Sequence, residues 1–93
     1  MQSESTLLTA KGSTYIKQMC RHFAHKITVE FDDERGLANF AMGTCQMQAQ
    51  PDRLVLVASA ADQAALATVQ QIVSVHLERF AFREELKVEW QAI

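Results

Sequence analysis

Residues 19–36, with the sequence MCRHFAHKITVEFDDERG, run from a basic segment through an apolar alternation into an acidic turn. Up to Phe23 the apolar side chains recur every three or four residues, a spacing typical of an amphipathic helix. This spacing predicts a helix over residues 13–26, with Ser13 as its N-cap. The side chains expected to face inward are Ile16, Met19, Cys20 and Phe23.

The second half of the stretch predicts a strand and a turn. Ile27, Val29 and Phe31 alternate with polar residues, which gives a strand one apolar face and one polar face. The acids from Asp32 onward, followed by Gly36, are turn formers. Because a one-sided strand needs partners and a covering layer, we expect the rest of the chain to supply an antiparallel sheet.

Short alternating segments elsewhere predict the other strands. They cover residues 6–10, 37–42, 45–50, 53–59 and 86–91. The segment 53–59 is apolar on both faces, so we expect it in the interior of the sheet. Residues 1–4 are expected to be frayed.

A second helix is predicted between the last two strands. Ser59 followed three residues later by Asp62 is similar to a capping box, and the helix is expected to end around residues 82–85. The predicted fold class is α+β: a single domain, residues 1–93, with a curved antiparallel sheet of about six strands and two helices on one face, in the order β-α-β-β-β-β-α-β. Up to its last strand this order is similar to TATA-binding-protein-like and helix-grip folds, in which the sheet can leave a cavity under the long helix.

Composition argues against several classes of protein. The formal net charge is −2 and the pI about 5.8, which speaks against a nucleic-acid interface over the whole domain. No run of 18 apolar residues and no signal peptide is visible, so we expect no membrane partner and a cytoplasmic location. Cys20 and Cys45 lie at apolar positions without C-x-x-C spacing, which favours reduced, buried thiols over a disulfide between them.

Positive charge is concentrated on the first helix. No acid lies between Lys11 and Lys26, so the exposed face of the helix is cationic. Cations near a helix C-terminus also complement the macrodipole, and that preference alone accounts for them equally well. As a binding face it would suit an anionic small molecule or an acidic partner surface. The residues of this candidate site are Lys17, Arg21, His22, His25 and Lys26.

The three histidines are the candidate metal ligands. Cys20, His22 and His25 have C-x-H-x-x-H spacing, but on a helix the thiol lies roughly 160° from His22, so it cannot share an ion with both imidazoles. We interpret Cys20 as a core residue, and His22 with His25 as a solvated pair that needs a third ligand to hold a metal. His76 interrupts the apolar stripe of the second helix. It is expected to bond a backbone carbonyl or an acid, with metal or haem ligation as the alternative.

Catalysis has no support in the sequence. A nucleophile motif, a phosphate-binding glycine loop and H-E-x-x-H are all missing, and the chain has only three glycines. The acids 32–34 do not follow the pattern of a calcium-binding loop. We therefore expect a protein that is not an enzyme, and the sequence points to no particular cofactor.

The strings CRHFAHK (residues 20–26), VEFDDERG (29–36) and HLERFAFREEL (76–86), with KVEW (87–90), closely resemble an uncharacterised bacterial family, number 2218 among the domains of unknown function. The resemblance extends from about residue 11 to residue 90. It implies a small bacterial α+β protein, sometimes found in the company of siderophore-handling and ferric-siderophore-reductase proteins. It carries over no catalytic residue.

The sequence therefore favours a non-enzymatic accessory or binding protein that uses the basic helix face, and the resemblance implies a link to iron or siderophore metabolism. Its expected partners are an anionic small molecule or a ferric-siderophore-handling protein. One alternative is a metal- or haem-binding protein that uses His22 and His25, or His76. The other is a structural module that forms a homodimer through an edge strand or through Gln46, Gln48 and Gln50.

Overall fold

A computed structural model describes all 93 residues and contains the predicted six strands and two helices in the predicted order. Neither helix is long and apolar enough to cross a membrane. The elements are β1 (Gln2–Leu8), α1 (Gly12–Phe23), β2 (Thr28–Phe31), β3 (Arg35–Phe40), β4 (Gly43–Gln50), β5 (Arg53–Ala60), α2 (Gln63–Phe80) and β6 (Gln91–Ala92).

All six strands form one antiparallel sheet with the spatial order β2-β3-β4-β5-β1-β6. The consecutive strands β2 to β5 are a meander with short turns. β1 pairs along its whole length with β5, from Gln2 opposite Ser59 to Leu8 opposite Arg53. This pairing makes β5 an interior strand, as its apolar character predicted. The α+β class and the element order predicted from the sequence are confirmed.

The core lies between the two helices and one face of the sheet. Alternate residues along β4 and β5 are buried there, and the apolar stripe of each helix covers them. Cys20 and Cys45 are both fully buried and free, as their apolar positions predicted. The largest fully buried side chains of the core are Ile16, Met19, Leu54, Leu56, Leu77, Val69 and Val73.

Gly36 allows α1 to lie close to the sheet. A Cβ atom at this position would come within 2.8 Å of Cγ2 of Ile16 and 3.2 Å of Sγ of Cys20. The sequence placed Gly36 in a turn, but it belongs to β3. The predicted turn is confirmed between β2 and β3, just before Gly36. There Oδ1 of Asp32 accepts hydrogen bonds from the backbone N–H groups of Glu34 and Arg35, each at 2.8 Å.

The predicted ends of the first helix are wrong. Ser13 lies inside the first turn, and the N-cap position is Lys11, whose side chain makes no capping hydrogen bond. The helix ends at Phe23 because the carbonyl oxygen of Phe23 accepts the N–H groups of Lys26 and Ile27, each at 3.0 Å, and turns the chain toward β2. His25 and Lys26 therefore lie in a turn after the helix.

The outer parts of the chain also differ from the predictions. Residues 2–4 are not frayed: they belong to β1, where Ser3 and Glu4 are paired on both sides. Ser59 lies in β5, and the N-cap of α2 is Asp62, whose Oδ1 accepts the N–H of Ala65 at 2.8 Å. The helix ends at Phe80, before the predicted range.

Residues 86–91 were predicted as a strand, but residues 86–90 pair with no other strand. Side chains of α2 hold them instead. The N–H of Val88 donates to Oε2 of Glu78 at 3.0 Å, and Nε1 of Trp90 donates to Oγ of Ser74 at 2.8 Å. Only Gln91 and Ala92 continue as β6.

Candidate functional site

A groove of about 520 Å³ opens where the end of α1, the second half of α2 and the β3–β4 turn meet. The β3–β4 turn supplies only apolar side chains, the two helices supply both apolar and polar ones, and all three histidines of the chain contribute. The groove is lined by His22, Phe23, His25, Lys26, Ile27, Phe40, Ala41, Met42, Ile72 and His76.

The interior of the groove is apolar and aromatic. The ring of Phe23 packs edge-on against Phe40 with centroids 5.2 Å apart, and against His76 with centroids 5.0 Å apart. Edge-on contacts of this kind hold rings in fixed orientations. Ile72 and Met42 add aliphatic surface from α2 and from the β3–β4 turn. An apolar body can therefore be buried here.

His76 is held by its own helix. Its Nδ1 lies 2.7 Å from the carbonyl oxygen of Ile72, one turn earlier. Because a carbonyl oxygen only accepts, Nδ1 carries the proton, and in the neutral ring Nε2 is left as an acceptor. The prediction of a histidine bonded to a backbone carbonyl is confirmed.

His22 lies against His76, with ring centroids 4.8 Å apart. Desolvation, followed by the positive charges of His76, His25, Arg79 and Lys26, lowers the pKa of His22 below its ordinary value of 6.5. Protonation of His22 would place another cation among these groups. The neutral form of His22 is therefore favoured beside Lys26 and Arg79.

The rim of the groove is cationic. His25 and Lys26 lie on the turn after α1, and Arg79 of α2 is close enough to His22 to affect its ionisation. No aspartate or glutamate is among the residues that line the groove. The combination is an apolar groove edged by positive charge.

The basic face predicted from the sequence is divided in the structure. Nζ of Lys17 lies 2.5 Å from Oδ1 of Asp33, so the turn after β2 neutralises this end of the face. Arg21 is exposed and does not line the groove. His22, His25 and Lys26 are the predicted residues that the structure brings together.

The predicted metal ligands share the groove without forming a three-ligand cluster. Nowhere in the chain do three His, Cys, Asp or Glu side chains converge in a way that could hold an ion. Cys20 lies in the core, where burial raises the pKa of its thiol to about 11. Burial, followed by the charge of Cys20, raises the pKa of Cys45 to about 12. Both thiols are therefore protonated near pH 7.

Sequence reasoning missed the partners that make this a groove. Phe40 and Met42 were predicted only as part of the strand 37–42, and Ile72 and Arg79 only as part of the second helix. The close contact of His22 with His76 was also missed, because the two are far apart in sequence. The only available signal was that His76 interrupts an apolar stripe.

Comparisons with known proteins agree with this fold. A family described as an uncharacterized protein conserved in bacteria (DUF2218) matches residues 4–91. The NMR structure of PA4090 from Pseudomonas aeruginosa superposes with a TM-score of 0.81 and 34% sequence identity, over 97% of this chain and 94% of the other. No curated protein matches the chain. The resemblance inferred from the sequence strings is confirmed: the chain belongs to the DUF2218 family.

Proposed function

We propose that the protein is a non-enzymatic binding protein for an amphipathic anion, meaning a small molecule with an apolar or aromatic body and a negative head group. One observation carries the proposal: the apolar groove is lined by Lys26 and three histidines and by no acid. The apolar body would lie against Phe23, Phe40 and Ile72. The negative group would lie at the rim formed by the turn after α1.

The charges around the groove favour an anion over a cation. Lys26 and Arg79 carry permanent positive charge at neutral pH, whereas His22 is neutral because its pKa is lowered. A charge pair at about 4 Å is worth about 1 kcal/mol in water and more where solvent is partly excluded. The partial negative charge at the C-terminal end of α1 opposes the binding of an anion. Its carbonyl groups are already bonded to the N–H groups of residues 24–27, which reduces the opposition.

The size of the groove suits a small organic ligand. Binding clefts for such ligands commonly measure about 300 to 1,000 Å³ and are mostly apolar with a few polar groups. Siderophores built on catecholate or aromatic carboxylate groups combine an aromatic body with negative charge. The expected link with iron or siderophore metabolism is therefore one specific case of the proposal.

A matched pair of fluorescent probes tests the proposal. Anilinonaphthalene sulfonate carries an aromatic body and a sulfonate, and N-phenyl-1-naphthylamine has the same rings without the charge. We expect Lys26→Gln to weaken binding of the sulfonate roughly fivefold, as the loss of one nearby charge predicts, and to leave the neutral probe unchanged. Lys87→Gln, which removes an exposed charge outside the groove, serves as the control.

The same titrations separate the two parts of the proposal. Added salt should weaken the sulfonate and not the neutral probe, and Ile72→Asp should weaken both. If Lys26→Gln weakened the binding of both probes equally, or if salt had no effect on binding of the sulfonate, the proposal that the rim binds a negative group would be overturned. Competition by a ferric catecholate complex, set against the same catecholate without iron, then shows whether the iron-bound form is preferred.

A metal ion is the second candidate ligand, favoured by the 4.8 Å separation of the His22 and His76 rings. Two neutral imidazoles suit Cu²⁺, Ni²⁺ or Zn²⁺, but Lys26 and Arg79 oppose a cation and no third protein ligand is close. We expect at most weak binding of Cu²⁺ in a calorimetric titration. The binding should disappear in His76→Gln and survive in His25→Gln; identical binding by both variants would exclude the His22–His76 pair.

A further inference from the structure

His76 supplies the groove with an unpaired hydrogen-bond acceptor. Its Nδ1–H donates to the carbonyl oxygen of Ile72 at 2.7 Å, which fixes the tautomer and leaves Nε2 without a proton in the neutral ring. The ring makes no other hydrogen bond within the chain. Nε2 is therefore available to accept a hydrogen bond from water or from a molecule bound in the groove.

The ring of His76 is half-buried and held by its neighbours. Phe23 meets it edge-on with ring centroids 5.0 Å apart, and the centroid of His22 lies 4.8 Å away. Packing of this kind limits the rotation of a ring. The acceptor nitrogen thus has a defined place beside the apolar interior of the groove.

A ligand that fills the groove changes the hydrogen bonding of this nitrogen. An apolar body lying against Phe23, Phe40 and Ile72 would displace water from Nε2 of His76. If the body carried no donor, the bond to water would be lost without replacement, and that loss would oppose binding. A donor on the body restores the bond. Sites with a placed polar group reject analogues that lack the matching group for this reason.

The charges near His76 favour an uncharged donor. Lys26 lines the groove, and Arg79 is close enough to His22 to affect its ionisation. No acid lines the groove, so an ammonium group would meet positive charge without a counterion. A hydroxyl group carries no such penalty and is a good donor to an imidazole nitrogen.

We propose that the groove selects an aromatic anion that also carries a hydroxyl group, and that this hydroxyl donates to Nε2 of His76. The inference rests on the proposed function and narrows its ligand class. Lys26 and the rim bind the negative group whether or not the hydroxyl is present. His76 determines specificity among the anions.

Competition against anilinonaphthalene sulfonate tests the inference with ligands of nearly equal size. Hydroxynaphthalene sulfonates, with the hydroxyl at several ring positions, are compared with the methoxy compounds substituted at the same positions. At about pH 7.5 both kinds are monoanions, and an ordinary imidazole is neutral. We expect the best hydroxyl isomer to bind roughly fivefold more tightly than its methoxy counterpart, the effect of one net hydrogen bond.

Two matched variants locate the acceptor. His76→Phe keeps an aromatic ring on α2 and removes Nε2, so the preference for hydroxyl over methoxy should disappear. His25→Phe makes the same replacement in the turn after α1 and should keep the preference, because the inference gives His25 no contact with the hydroxyl. Lys26→Gln should weaken both members of each pair alike and leave their ratio unchanged. The ratio does not depend on how a variant binds the displaced probe.

Nitrogen-15 NMR of the original chain provides a readout that needs no variant. The Nε2 signal of His76 should be that of an unprotonated nitrogen, because Nδ1 holds the proton for Ile72. This signal should move to lower frequency when the best hydroxyl ligand binds, and should move less with its methoxy counterpart.

Equal affinities within every hydroxyl and methoxy pair, or a proton found on Nε2 of His76, would overturn the inference. A preference that survives in His76→Phe would do the same. In each case the proposed function stands if Lys26→Gln still weakens the sulfonates and spares the neutral probe. A failure of all the sulfonates to bind would overturn both proposals together.

Discussion

At the scale of single residues, Tyr15 is a buried ionisable group, with 4% of its surface exposed. Its hydroxyl donates to Oε2 of Glu84, and Oγ1 of Thr9 donates to Oε1 of the same carboxylate at 2.9 Å. Burial first, then the hydrogen bond and the charge of Glu84, raise the pKa of Tyr15 to about 12. Glu84 thereby ties the turn after α2 to the start of α1.

Because Tyr15 is the only tyrosine, tyrosinate absorbance reports its titration directly. We expect a midpoint of about 12 in the folded protein, against 10 for the unfolded chain. The neutral phenol is favoured in the folded state, so its contribution to stability is complete below pH 10 and is lost as pH rises through 12. Tyr15→Phe should remove this pH dependence and cost about 1 to 3 kcal/mol in urea unfolding at pH 7. A folded-state midpoint near 10 would contradict the burial and the bond.

The residues predicted correctly from the sequence are those whose environment follows from the pattern of one helix or one strand. His76 bonds a carbonyl one turn earlier, and Cys20 follows the inward stripe of α1, so both were within reach of local reasoning. The contact of His22 with His76 joins two helices that are far apart in sequence. No periodicity within either helix contains that information, so the sequence indicated two separate candidates where the structure has one cluster.

At the scale of elements, alternation identified every strand of the meander, but the ends of both helices were misplaced. The N-cap is decided by a backbone conformation that residue type only suggests. Asp62 has the extended conformation of a cap, with φ −144° and ψ 174°, whereas Ser59 is still paired in β5. Both residue types are good caps, so the sequence could not distinguish them.

Replacement of the two candidates by alanine compares them directly. Asp62→Ala removes the acceptor of the Ala65 N–H and should destabilise the protein by about 1 kcal/mol in urea unfolding. Ser59→Ala loses only an exposed bond from Gln2 and should stay within about 0.5 kcal/mol of the original chain. Equal effects of the two substitutions would show that capping by Asp62 does not contribute.

At the scale of the whole molecule, the sequence could not predict the way in which the two ends of the chain come together. β1 lies between β5 and β6, so residues near the amino terminus pair with residues 91–92 near the carboxyl end. The extended segment between α2 and β6 carries Leu86, Val88 and Trp90, which pack against the core. A pattern of alternation predicts an extended segment equally well whether it pairs with a strand or lies along a helix.

Because β6 pairs with β1 and the segment before it packs against the core, we expect the carboxyl-terminal segment to unfold together with the rest of the protein. Trp90 is the only tryptophan, so its fluorescence reports the segment, while far-ultraviolet circular dichroism reports the helices and the sheet. We expect the two urea transitions to coincide, since the segment is held by the core and by the bond from Trp90 to Ser74.

Ser74→Ala should shift both transitions together to lower urea concentration and reduce the free energy of unfolding by about 0.5 to 1.5 kcal/mol. Ser13→Ala, which removes a hydroxyl without a hydrogen-bond partner, should change the free energy of unfolding from either transition by no more than about 0.5 kcal/mol. A fluorescence transition that precedes the dichroism transition would mean that residues 86–93 detach from a sheet and helices that remain folded.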